Sequence, residues 1–178
     1  MIQNDVNRGT QILENLLLLA RLDPEHAEHL PKQQVNLKVL VQEVLQALQP
    51  LAQEKEIHWN LKLEDAVIEA NAELIFSCIR NLVDNAIRYT PVQGQVEIRT
   101  IVESQNVQLM IENSGEGIQA DVLQRLGERF YRALGTRTQG LGLGLSICQK
   151  LMQLHTAKID YAPSVLGGLK VSLIFQSK

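Results

Sequence analysis

At 178 residues the chain has the length of one domain, or of one domain with a short attachment, and can bury roughly 70% of its unfolded surface without covalent staples. Its 17 basic and 20 acidic residues leave a net charge of −3, which argues against binding a nucleic-acid backbone. Cys78 and Cys148 fit no metal-ligand spacing, no apolar run approaches the ~18 residues of a membrane span, and no secretory signal follows Met1, so a folded cytoplasmic piece is expected.

The chain opens on a predicted helix. Ile2, Val6, Gly9, Leu13, Leu16 and Ala20 form a heptad seam that Asp23-Pro24 ends. Such a seam suits either an ordinary core helix or one half of a helical hairpin. Residues 24–34 are polar, contain Pro24 and Pro31, and read as a linker. An amphipathic helix follows on Leu37, Leu40, Val41, Val44, Leu45 and Leu48, then an alternating strand on Ile57, Trp59, Leu61 and Leu63, and a short strand at Val67 and Ile68. A long helix is predicted from the N-cap Asn71 to Tyr89. Beyond Pro91 and Gly94, Val96, Ile98, Val107, Leu109 and Ile111 read as a hairpin. A short helix near Val122 to Leu126, a loop at 133–139, a helix from Gly142 to His155, and strands at Ile159 to Tyr161 and Leu169 to Phe175 complete the chain. This order predicts an α+β fold, a mixed or antiparallel sheet with helices on one face.

Four segments could carry chemistry. On the long helix, Asn81, Asp84, Asn85, Arg88 and Tyr89 fall in one stripe opposite the apolar residues. Such a stripe is often a solvated face. Asparagine is a mediocre helix former, however, and carboxamide oxygens suit a hard cation as an arginine suits phosphate. Glu112-Asn113-Ser114-Gly115-Glu116-Gly117-Ile118 is either a plain turn or a close approach to a flat ligand. Gly140-Leu141-Gly142-Leu143-Gly144-Leu145 opens a helix, where backbone N–H groups favour an anion. It lacks the Lys-Ser/Thr of a Walker loop and the third glycine of a dinucleotide fingerprint. Arg129, Arg132 and Arg137 matter only if that segment binds phosphate. The histidines make no metal site: His26 and His29 stand alone in the linker, His58 lies in a strand, and His155 ends a helix, where a positive tip suits the dipole.

Together these segments resemble the nucleotide-binding domain of sensor histidine kinases of two-component systems, a member of the GHKL superfamily with gyrase, Hsp90 and MutL. Asn81-Leu-Val-Asp-Asn-Ala-Ile-Arg-Tyr-Thr-Pro91 is similar to the N box, Asn113-Ser-Gly-Glu-Gly-Ile118 to the first glycine box, Glu128-Arg-Phe-Tyr-Arg132 to the F box, and Gly140 to Leu145 to the second glycine box. Arg80-Asn-Leu-Val-Asp-Asn-Ala and Gly127-Glu-Arg-Phe-Tyr-Arg resemble the QseC-like and PmrB-like sensors, and Leu16-Leu-Leu-Leu-Ala-Arg-Leu-Asp23 the end of their second dimerisation helix.

The resemblance implies a two-layer α/β sandwich of the Bergerat type: a dimerisation-type helix at 1–23, a linker at 24–34 and an ATP-binding domain at 35–178. It implies a protein-histidine kinase using ATP and Mg²⁺, with Asn81 and Arg132 catalytic. Asn85 would hold the metal, Arg88 would meet phosphate, Tyr89 would lie along the adenine and Ile118 would back it. Asn113, Gly115 and Gly117 would border the base. Gly140, Leu141, Gly142, Leu143, Gly144 and Leu145 would cradle phosphates, with Phe130 and Tyr131 in a lid between Gly127 and Gly140. It further implies an acceptor-histidine helix in the parent kinase, a homodimeric parent, a response-regulator receiver domain as partner, no nucleic acid, and a membrane reached only through upstream segments. No histidine here is followed by an acidic residue, as the family's phosphoacceptor is, so the isolated chain is expected not to phosphorylate itself. The family has Asp where Asn113 stands, a glycine pair where Thr156-Ala157 stands, and in many members Thr where Leu169 stands. Two other classes compete: an ATP-hydrolysing machine, which would need a glutamate in place of Asn81, and a nucleotide- or protein-binding module without kinase activity.

Overall fold

A computed structural model describes residues 30–126 and 143–177, together with Thr10 and Leu13. The latter two are helical, in keeping with the predicted first helix, and Leu13 of its seam is 58% exposed. The described elements are β1 (Gln33–Asn36), α1 (Leu37–Ala47), α2 (Gln49–Glu54), β2 (His58–Lys62), β3 (Val67–Ala70), α3 (Ala72–Tyr89), β4 (Gln95–Val102), β5 (Asn106–Ser114), α4 (Ala120–Arg125), α5 (Leu143–Leu154), β6 (Lys158–Pro163) and β7 (Gly167–Gln176).

Two of these depart from the sequence reading. β1 begins at Gln33, inside the stretch read as linker; only Val35 of it is buried, and its partner β3 lies 30 residues on. α2 follows α1 after a single residue, because Pro50 in its first turn can start a helix though it cannot continue one.

Strands β2-β4-β5-β7-β6 form one mixed sheet, with β2 parallel to β4 and the other pairs antiparallel; β1 and β3 form a separate antiparallel pair. Strand parity decides what each face carries. Ile98, Ile111, Val171 and Tyr161 lie in register across four strands, as do Thr100, Leu109, Leu173 and Ile159 in the next row. This face takes the helices. α3 packs against α1, α5, β5 and β7, and α5 against β6. Leu37, Ile75, Ile79, Ile87, Ile98, Leu109, Ile147, Leu151 and Leu173 are fully buried between the layers.

Both cysteines belong to this core, as expected of small hydrophobes. Each is fully buried, and the Cys148 Sγ–H donates to Cys78 O at 3.4 Å, joining α5 to α3. Burial pushes the Cys148 thiol well above its ordinary range.

The opposite face is polar. Glu97 on β4 is buried there, accepting from Asn60 Nδ2 at 2.6 Å and from Arg99, with Lys62 Nζ at 3.4 Å. The Arg99 hydrogen bond outweighs the opposing effect of burial and holds its carboxyl below the usual range. These contacts fasten the edge strand β2 to the sheet.

Candidate functional site: a polar stripe along helix α3

α3 is built from both ends. Asn71 Oδ1 accepts the Leu74 N–H at 3.1 Å, an N-cap, while Asn71 Nδ2 donates to Pro31 O at 2.9 Å. Ile75, Cys78, Ile79, Leu82, Val83, Ala86 and Ile87 are buried. Of the predicted stripe, Asn81 is buried, Asp84, Asn85 and Arg88 are half-buried, and Tyr89 is 44% exposed. Arg88 Nε donates to Asp84 Oδ2 at 2.9 Å, an i,i+4 pair in the favourable acid-first order. That pair fixes where the guanidinium sits along the helix.

His155 corrects an expectation. Instead of a positive tip at a helix end, it is a neutral bridge between two helices. Its Nε2 accepts the Asn71 N–H at 3.1 Å, and its Nδ1 lies 2.7 Å from Leu151 O, so the proton resides on Nδ1. Burial lowers its pKa, and Lys32 adds to this; the Leu151 hydrogen bond opposes it. The ring thereby ties the end of α5 to the start of α3.

At the other end of α3, the Thr90 hydroxyl donates to Ala86 O at 2.5 Å, and Lys55 Nζ donates to Arg88 O at 2.6 Å and Thr90 O at 2.8 Å. Burial, reinforced by the Arg88 charge, lowers the Lys55 pKa against the opposing pull of Glu54. No sequence motif singles out Lys55.

Asn113 occupies the last part of β5. Parity places it on the helix-facing side with Leu109 and Ile111, so a polar side chain is buried there. Both ends of its amide are engaged: Oδ1 accepts the Leu169 N–H and Nδ2 donates to Ser114 O, each at 3.0 Å. Leu169 thus offers its N–H to Asn113 while its side chain packs on the core.

The turn after Asn113 runs against the β6–β7 turn so closely that only glycine fits. A Cβ at Gly168 would lie 2.5 Å from Asn113 O, and one at Gly167, whose φ is +108°, would lie 2.8 Å from Gly115 O. A Cβ at Gly115 would stand 3.2 Å from Tyr89 O, and one at Gly117 3.8 Å from Gly167 O. Tyr89, Asn113, Gly115, Gly117 and Leu169 therefore meet at one end of the polar stripe of α3. Ile118 follows, half-buried.

Gly144 lies at the other end, in the first turn of α5. A Cβ there would be 3.7 Å from Asn85 Nδ2 and 3.9 Å from Asn81 Cβ. The second glycine segment thus approaches the Asn81/Asn85 stripe, with the N-terminus of a 12-residue helix beside it. Leu145 is half-buried against the core. The helix begins at Leu143; Phe130, Tyr131, Arg132, Gly140, Leu141 and Gly142 lie outside the described residues.

Among the described residues no cluster of three or more His, Cys, Asp or Glu could hold a metal. A cation at the Asn85 end would take amide oxygens and those of its ligand, a donor set suited to Mg²⁺ and unsuited to zinc. Asn85 and Asn81 come within van der Waals range of the Gly144 position, so the amide stripe and the start of α5 are close enough to share such a group. No described helix is long and apolar enough to cross a membrane.

Residues 70–178 match the family described as histidine kinase-, DNA gyrase B- and HSP90-like ATPase. The chain is 35% identical over 176 residues to the sensor protein kinase PmrB of Pseudomonas aeruginosa, covering 97% of this chain and 36% of that protein. It therefore spans little more than a third of that relative's length. The catalytic domain of histidine kinase ThkA superposes with a TM-score of 0.74 at 27% identity, over 83% of this chain and 98% of that one. ThkA in complex with the response regulator TrrA gives a TM-score of 0.76 at 23% identity, over 99% of this chain and 49% of that one, a likeness of fold.

Proposed function

Because this chain belongs to the histidine kinase-, DNA gyrase B- and HSP90-like ATPase family, we propose that this site binds ATP with Mg²⁺ and presents the γ-phosphoryl group to a histidine elsewhere in a parent sensor kinase. From there the phosphoryl group passes to the receiver domain of a response regulator. One observation carries the reading: a single helix supplies both ends of the site. Asn81 and Asn85 face Gly144 at a helix N-terminus, and about one turn on the Tyr89 carbonyl meets Gly115 beside Asn113. The first end suits phosphates and a hard cation, the second a flat base.

The residues have distinct work in this scheme. Asn85 offers an amide oxygen to Mg²⁺, which when bound supplies charge neutralisation at the phosphates. Asn81 lies beside it, and Arg88, steadied by Asp84, brings a positive charge along the same stripe. Asn113 Oδ1 has a second lone pair for the adenine amino group while it holds the Leu169 N–H. Tyr89 and Ile118 flank the base. By resemblance, the second glycine segment from Gly140 through Leu145 is assigned to the phosphates, and Phe130 and Tyr131 of the F box to the lid. Arg132 is assigned to the γ-phosphate by resemblance. Phosphoryl transfer asks little covalent chemistry of the protein; positioning and electrostatics carry it.

A hydrolase of the gyrase type is disfavoured, because the amide of Asn81 cannot take a proton from water. Of the two histidines among the described residues, His155 has both ring nitrogens engaged, and His58 lies exposed on an edge strand. The proposed arrangement is a dimerisation-type helix at 1–23, a linker that ends where β1 begins at Gln33, and the ATP-binding domain from there to 178. The acceptor helix belongs to the parent, a homodimer anchored in the inner membrane through upstream segments, with this domain in the cytoplasm.

Calorimetric titration of ATP and ADP with and without Mg²⁺ tests the reading. ATP should bind more tightly with Mg²⁺, and Asn85→Ala should abolish that gain while folding stability changes by less than about 1 kcal/mol, as for other surface changes. Unchanged Mg²⁺-dependent affinity in the variant would refute the metal assignment. Incubated with γ-labelled ATP, the chain should neither label itself nor hydrolyse nucleotide at an appreciable rate. Acid-labile label on His26, His29, His58 or His155 would contradict that.

A further inference from the structure

Lys55 lies in the turn between α2 and β2, far in sequence from every motif of the site. Its Nζ nonetheless reaches two main-chain carbonyls at the end of α3, Arg88 O at 2.6 Å and Thr90 O at 2.8 Å. Its own carbonyl accepts the Gln93 N–H at 2.8 Å, and Gln93 Nε2 donates to Glu56 Oε2, also at 2.8 Å. Residues 88–93 are thus gripped from one side by residues 55 and 56. The two carbonyls that Lys55 holds flank Tyr89, and the Tyr89 carbonyl is the atom nearest to where a Gly115 side chain would begin.

We infer that Lys55 is a positioning residue for nucleotide binding, clamping the end of α3 so that Tyr89 and the Gly115 turn stay at the spacing the base requires. This role rests on the nucleotide-binding reading proposed above. Carbonyls in the last turn of a helix lack intrahelical donors, and an ammonium there satisfies them and complements the helix dipole. Two of the three Nζ–H donors are spent on this end of the helix. Without them the last turn is free to fray and Tyr89 moves with it. The phosphate end is held separately, by the packing of α5 on α3. The clamp therefore acts on the part that ATP and ADP share and leaves the contribution of the γ-phosphate alone.

The experiment measures affinity for ADP and for Mg-ATP on the full chain, below its unfolding temperature, for the wild type and for K55M, K55Q and K55R. K55M should weaken both nucleotides about tenfold, the equivalent of one charge-assisted hydrogen bond, with their ratio unchanged. K55Q keeps a shorter donor and should lose about threefold or more, while K55R, with its charge and donors intact, should recover most of the affinity. A merely structural lysine would lower the melting temperature without moving the affinity of the folded chain. A folded K55M binding ADP like the wild type overturns the role, and if K55M does not fold, wild-type affinity in K55Q does so. A wild-type chain that binds neither nucleotide overturns instead the reading on which the role rests.

Discussion

Replacing Asn113 by Asp restores the residue that the kinase family carries, and the structure says what this costs. Asn113 is 4% exposed, with Oδ1 accepting from Leu169 N–H and Nδ2 donating to Ser114 O. A carboxylate keeps the first bond and strengthens it, charge-assisted bonds being roughly twice as strong, a gain of about 1 kcal/mol. It loses the second, worth about 1 kcal/mol, and sets an oxygen against the Ser114 carbonyl, a buried mismatch of about 1–3 kcal/mol. Asn113→Asp should therefore destabilise the ligand-free chain by roughly 2 kcal/mol at pH 7, about 4–8 °C for a chain of this size. In acid the protonated carboxyl can donate to Ser114 O, so its folded pKa is raised, and the loss grows as pH rises through the carboxylate range. An adenine amino group supplies the missing donor, so ATP and ADP should bind the variant about tenfold more tightly, near 1.4 kcal/mol. Urea unfolding at pH 4 and pH 7 with calorimetry on both forms provides the measurements. A variant as stable as the wild type at pH 7, or with equal or weaker nucleotide affinity, would refute this account of the amide.

Thr156 occupies the position after the C-cap of α5 with φ +53°, where Thr156 N–H bonds Gln153 O at 3.1 Å and Ala157 N–H bonds Met152 O at 2.9 Å. That is a Schellman turn with a β-branched residue where glycine is favoured, so Thr156→Gly should raise stability by about 1 kcal/mol; a lower melting temperature would count against it. His155, half-buried and neutral with a lowered pKa, contributes stability that is fully present above the unfolded value near 6.5 and is lost as pH falls through the folded one. Urea midpoints followed from pH 7.5 to pH 5 should fall less steeply in His155→Gln than in the wild type, and equal slopes would exclude the bridge.

Much of the scaffold was legible because its signals are local. The N-cap Asn71, the apolar face of α3 and the alternation in β4, β5 and β7 each depend on residues a few positions apart, and the structure places elements there. β1 was hidden because a four-residue strand with one buried side chain owes its existence to β3. α2 was hidden because Pro50 reads as a stop when the chain has in fact just restarted. The motif segments were legible one by one. The contacts that set their spacing were not: His155 to Asn71, Lys55 to Arg88 and Leu169 to Asn113 span 84, 33 and 56 residues, and no periodicity encodes a partner at such distance. The inward aim of Asn113 lay between, since parity from Leu109 and Ile111 already implied it.

The parallel pairing of β2 with β4 has a consequence for the order of folding. β4 and β5 are joined by three residues and can zip locally, as neighbours in a hairpin do. β2 cannot reach β4 that way, because the chain between them carries β3 and the whole of α3. Loop closure over that distance is compensated only once α3 has docked, so the outermost strand is expected to join last and detach first. Lys55 and Glu56 stand immediately before that strand. In hydrogen exchange, the amides of β2 and of Gln93, whose N–H bonds Lys55 O, should accordingly open together and ahead of the β5–β7 ladder. The base end of the site thus shares its fate with an edge strand of the sheet, and the phosphate end with its core.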